Sequence, residues 1–137
     1  MPKGIWKQAD HELSAHFKSL TKTVAASVGV NCRSGSQGAG LERPLSCYQN
    51  FHWPSRRNQD ADPGIGVTVD FWLDEGILRY NSDISAEGTV IRQGPYGVID
   101  NAASPDDQVR AALAEIGAFI GGSAPVICQW FSQAAGG

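Results

Sequence analysis

The chain has 137 residues, of which 42% are hydrophobic and 18% charged, with a formal net charge of −3. It is too apolar and too lightly charged for a disordered chain, and long enough for one domain, 1–137, whose core needs no disulfide or metal. The acidic balance points away from nucleic acid and anionic membrane as partners, and no apolar run reads as a span of about 20 residues.

Met1 to Ala9 reads MPKGIWKQA, without the charged-then-apolar pattern of an export signal. A cytoplasmic location is the expectation that follows, with Cys32, Cys47 and Cys128 as thiols. A Cys32–Cys47 disulfide is conceivable only for an exported chain. Cys47 and Cys128 lie in apolar contexts and read as core residues.

Ile5 to Val28 carries Trp6, Ala9, Leu13, Phe17, Leu20, Val24 and Val28 at steps of three or four, one stripe of an amphipathic helix. Gly29 is a suitable stop. His11 and His16 are five residues apart, about 140° around a helix, too far to share a metal. Val30–Arg33 reads as a short strand, and 34–44 as a flexible loop. The glycines of 35–40 lack the Lys-Ser/Thr ending of a phosphate loop, and Pro44 opposes a helix after them.

Leu45 to Trp53 alternates with period two, which puts Leu45, Cys47, Gln49, Phe51 and Trp53 on the core side. The stretch 54–64 is polar and ends in the Asp62-Pro63-Gly64 turn signal. Arg56 and Arg57 within it form a basic pair that suits one phosphate or carboxylate, if it is more than a solvated loop. Ile65–Leu73 is the clearest strand, and Ile77–Ile84 is its partner across Asp74-Glu75-Gly76. Thr89–Arg92 follows the Glu87-Gly88 turn, and Tyr96–Ile99 adds an edge strand. The edge at Thr89–Arg92 offers a place for another chain to pair, and a homodimer is one outcome.

Ser104 reads as an N-cap, Pro105 as the first helical residue, and Asp106 and Asp107 as complements to the helix dipole. Val109, Leu113, Ile116 and Ile120 form the buried stripe, which Gly121-Gly122 stops. The segment 124–133 fits a helix slightly better than a last strand. The order predicts an α+β fold: an N-terminal helix, an antiparallel meander of about four to five strands, and one or two C-terminal helices packed on one face.

Strand parity gives the functional expectation. With helices on the side of Val67, Val69 and Phe71, the other side holds Tyr48, Asn50, His52, Thr68, Asp70, Trp72, Arg79, Asn81 and Asp83. Tryptophan, tyrosine and arginine dominate binding hot spots. The leading expectation is a protein-binding module, with Trp72 and Tyr48 as anchors and Asp70, Asp83 and Arg79 as polar contacts. By size and charge alone it suits an immunity protein or antitoxin holding a basic toxin. One alternative is a small hydrolase or transferase in which His52 and Asp70 do acid–base work beside Arg79. The other is an anion or small-ligand binder on Arg56 and Arg57. No cofactor or metal motif is present in the sequence, and no spacing assigns a catalytic residue.

Overall fold

In a computed structural model, residues 3–28, 31–36, 42–52, 64–100 and 104–136 are described. The elements are α1 (Lys3–Val28), β1 (Asn31–Ser36), β2 (Leu45–His52), β3 (Gly64–Asp74), β4 (Ile77–Ala86), β5 (Thr89–Gln93), β6 (Gly97–Ile99), α2 (Pro105–Gly122) and α3 (Ala124–Gly136). The architecture is α+β, as the sequence predicts. All pairings are antiparallel, in the order β1-β2-β3-β4-β5, with β6 beside β4.

The helical repeat of α1 buries Ala9, Leu13, Phe17, Leu20 and Val24. Ile5 replaces Trp6 at the first buried position; Trp6 is half-buried, edge-on to Phe71 at 5.2 Å. In the strands, period two turns Leu45, Cys47, Gln49 and Phe51 inward, opposite Phe71, Val69, Val67 and Ile65. Leu78, Ser82, Ile84 and Ala86 of β4 continue the same side. Val109, Leu113, Ile116 and Ile120 of α2 and Ile127 and Phe131 of α3 close the core from the same direction as α1. Each such side chain contributes about 1.5–3 kcal/mol by leaving water.

Two hairpins join β3 to β4 and β4 to β5. In each, a glutamate and a glycine both have positive φ: Glu75 (51°) with Gly76 (81°), and Glu87 (53°) with Gly88 (82°). This is the two-residue turn whose twist matches that of paired strands. The outer edge of β4 is shared. Asp83–Ala86 pairs with β5, and Leu78–Tyr80 pairs with β6 after a bend at Gly94-Pro95. Ser82 holds the bend: its hydroxyl donates to Pro95 O at 2.7 Å, and Gly94 N donates to Ser82 O at 2.8 Å.

Several details differ from expectation. β1 runs on to Ser36, so the predicted loop at 34–44 begins later, and 37–41 lies outside the described residues. Trp53 and residues 54–63 of the predicted polar segment 54–64, Arg56 and Arg57 included, also lie outside them, while Gly64 opens β3. Ser104 makes no side-chain cap; its carbonyl accepts from Gln108 N at 3.2 Å instead, while Pro105 and both aspartates stand in the first turn. The segment after Ser123 is a helix. Cys32 stands opposite Phe51, four residues along β2 from Cys47, so the two lie about 13 Å apart along the strand, beyond disulfide reach. Pro105–Gln133 is long and apolar enough to cross a membrane by length and composition, contrary to the first reading of the sequence. In the fold it is two helices broken at Ser123, with one side of each turned into the core.

Candidate functional site

The sheet side away from the helices is built by strand register. Tyr48, Thr68 and Asp83 form one cross-strand row, continued by Gln93 of β5. Ser46, Asp70 and Asn81 form the next row. Trp72 and Arg79 stand opposite each other, with Val98 of β6 beyond. Tyr48 and Trp72 are therefore about 14 Å apart, with Asp70 between their rows. All nine residues expected here share this side and are half-buried, since neighbouring side chains cover their flanks.

The two central carboxylates differ in environment. Asp70 Oδ1 accepts from Ser46 Oγ at 2.6 Å and from Arg43 Nη1 at 3.0 Å. The Arg43 side chain is 55% exposed against 23% for Asp70, so this is a surface ion pair reinforced by one short hydroxyl bond. Among the described residues, Asp83 accepts from neutral donors, Ser85 Oγ at 3.0 Å and Asn81 Nδ2 at 3.1 Å. Among the described residues no basic side chain pairs with it. Asn81 is oriented in turn by Gln93, whose Nε2 donates to Asn81 Oδ1 at 2.6 Å and to Ser82 O at 2.8 Å. The Asp83 charge is thus fixed in direction and, among the described residues, not neutralised.

Arg79 Nε donates to Asp74 Oδ2 at 3.1 Å, which turns it towards the β3–β4 hairpin. His52 stands opposite Gly64 at the far end of β2, and its ring lies where a Cβ on Gly64 would come within 2.8 Å. His52 Nδ1 is buried and has no hydrogen-bond partner among the described residues. Ser46, opposite Asp70, is six residues from His52, so His52 and Asp70 are about 20 Å apart. Parity gives two residues a common side but says nothing of their separation along it. The expected acid–base pair is therefore not assembled.

Ser46, Ser85 and Gln93 belong to this network, although the sequence reading did not single them out. Parity was the available signal for Ser46 and Ser85. Nothing local marks Arg43, which reaches Asp70 from the chain before β2. Among the described residues no three His, Cys, Asp or Glu side chains gather as metal ligands. His16 lies against Gly117 of α2, away from any such group.

A cleft of about 200 Å³ lies between β6 and α2, lined by Tyr80, Val98, Gln108, Ala112 and Glu115. It is smaller than the usual small-molecule site of about 300–1,000 Å³. Gln108 serves structure there: its amide accepts from Asp100 N and donates to Asp100 O, both at 2.8 Å, pinning the end of β6 to α2. Burial, and then the Glu115 carboxylate, raise the Tyr80 phenol above its ordinary value. Comparison with protein-family models, curated proteins and solved structures finds no match.

Proposed function

We propose that the sheet side away from the helices is a protein-docking surface, in a small cytoplasmic protein of the immunity or antitoxin kind that holds a basic partner. The observation that carries the reading is the Asp83 carboxylate. It is held by Ser85 and Asn81, with no basic side chain paired to it among the described residues, within a half-buried field that includes Tyr48 and Trp72. An oriented, uncompensated carboxylate is a preformed receptor for arginine or lysine of a partner. The aromatic residues offer contact area at low conformational cost. Asp70 already has Arg43 and contributes less.

The test is affinity capture from a lysate of the producing organism, followed by binding of the purified partner. Wild type is expected to retain one basic protein, with affinity that falls as salt rises. Trp72→Ala is expected to lose it, and Asp83→Asn to weaken it by about 10-fold or more, the worth of one charged hydrogen bond. Asp70→Asn leaves most of the affinity, and Glu12→Gln on α1 leaves all of it. Equal capture by Trp72→Ala and Asp83→Asn overturns the reading.

A further inference from the structure

Charge in this chain is unevenly distributed. The stretch Gly64–Asp100 carries six acidic residues, among them Asp70, Asp83 and Glu87, against Arg79 and Arg92. The helices balance, with Asp10, Glu12, Asp106, Asp107 and Glu115 against Lys3, Lys7, Lys18, Lys22 and Arg110, but α1 gathers its cations on one side. On α1, Lys7, His11, Lys18 and Lys22 are all exposed, and at 100° per residue they fall within an arc of about 60°. They form a basic ridge about 22 Å long, directed away from the buried stripe. The acidic residues of α1 stand off the ridge: Asp10 is half-buried and accepts from Cys47 Sγ at 3.5 Å, and Glu12 lies about 80° or more around the helix from the ridge residues.

A second observation concerns α2 and α3. From Ile116 to the last residue the sequence holds no Asp, Glu, Lys, Arg or His. The exposed residues there are Ala118, Gly121, Gly122, Pro125, Gln129, Ser132 and Gln133, beside half-buried Trp130. The three helices pack on one side of the sheet, so their exposed residues make up that side of the molecule.

We propose that the helix side docks on an anionic phospholipid surface, with the Lys7–Lys22 ridge as its electrostatic contact. The overall charge of −3 disfavours such a surface, but the sheet side carries the acidic excess and would face away. A flat anionic surface laid along α1 meets the ridge and, beyond Ile116, a helical surface without charge; the carboxylates of α2 precede it, Asp107 paired with Arg110 at 3.2 Å and Glu115 in the cleft beside Tyr80 and Val98. The apolar stripes are spent in the core, so the contact is peripheral and no helix inserts. Nucleic acid fits less well: the ridge has no arginine fork and no aromatic residue to stack on a base. A strand of nucleic acid following the ridge would also gain nothing from the uncharged surface of α3.

The test is co-sedimentation with phosphatidylcholine vesicles, with and without phosphatidylserine, at low and high salt. The chain is expected to bind only the phosphatidylserine vesicles and to be released by salt. The variant Lys7→Gln/Lys18→Gln/Lys22→Gln is expected to lose on the order of a hundredfold in affinity, with an unchanged circular dichroism spectrum. Gln129→Glu, which puts a carboxylate on α3 and leaves the lysines alone, is expected to weaken binding several-fold. Absence of binding to phosphatidylserine vesicles overturns the proposal, as does equal binding by the triple variant. A single-stranded oligonucleotide is the competing ligand. If it binds as tightly as the vesicles do, and Gln129→Glu leaves that binding unchanged, the ridge belongs to nucleic acid and the proposal falls.

Discussion

Two glycines pack against side chains of opposite freedom, and replacing each by alanine is expected to change stability by very different amounts. Gly117 sits inside α2, where glycine costs about 0.8–1.0 kcal/mol relative to alanine. The three atoms nearest a Cβ there all belong to the His16 ring, with Nε2 at 2.6 Å and Cε1 at 2.9 Å. His16 is exposed, so its imidazole can swing to another rotamer, at a cost of at most about 0.5–1.5 kcal/mol if it settles off a staggered well. The propensity gain and the ring's displacement oppose each other, and Gly117→Ala is expected to lie between about 0.7 kcal/mol less stable and about 1 kcal/mol more stable. In a His16→Ala background the obstruction is gone and the full gain of about 1 kcal/mol appears. Gly94 is the contrary case. A Cβ there would meet Ser82 Oγ at 2.5 Å and the Phe119 ring at 2.6 Å. Ser82 is fully buried and its hydroxyl is committed to Pro95 O, so neither neighbour yields cheaply. Overpacking plus a strained hydrogen bond predicts a loss of about 2–4 kcal/mol for Gly94→Ala. Urea unfolding followed by tryptophan fluorescence reads both, as midpoint shifts at constant slope. A loss above about 1 kcal/mol for Gly117→Ala that His16→Ala does not relieve would refute the reasoning, as would a neutral Gly94→Ala.

Two further expectations concern backbone and pH. Glu87 has φ of 53°, a conformation that asparagine adopts more readily, so Glu87→Asn is expected to raise stability by about 0.5–1 kcal/mol in the same urea assay; an unchanged midpoint would count against the turn argument. The folded chain holds the Tyr80 proton more tightly than the unfolded chain, because burial and Glu115 both raise its pKa above 10.0. The stability this contributes is complete below pH 10 and is lost as pH rises through the folded value. Tyr80→Phe is therefore expected to lose less stability than wild type above pH 10, with Glu115→Gln in between, and parallel pH curves for all three would contradict it.

Elements were legible in the sequence because their signals are local. The 3.6-residue period of Ala9, Leu13, Phe17 and Val24, and the alternation from Ile65 to Leu73, record which side of each element meets water. The Glu-Gly pairs marked both hairpins, and parity correctly gathered Tyr48, Asp70, Trp72 and Asp83 on one side of the sheet. The lysine ridge of α1 was equally readable by helical spacing, but the net charge of the whole chain obscured it.

Position along the strands was not readable, because register depends on partners distant in sequence. Only the paired sheet sets His52 about 20 Å from Asp70, or brings Ser46 and Arg43 to one oxygen of Asp70 while leaving Asp83 to neutral donors. The sharing of β4 by β5 and β6 is likewise tertiary, since it rests on a bend fixed by Ser82 from a neighbouring strand. The sequence by itself determined which residues pair with water and which with the core, since that is a matter of period and hydrophobicity. The tertiary structure decided which of those residues meet, since a contact between distant segments exists only once the chain has closed the loops between them.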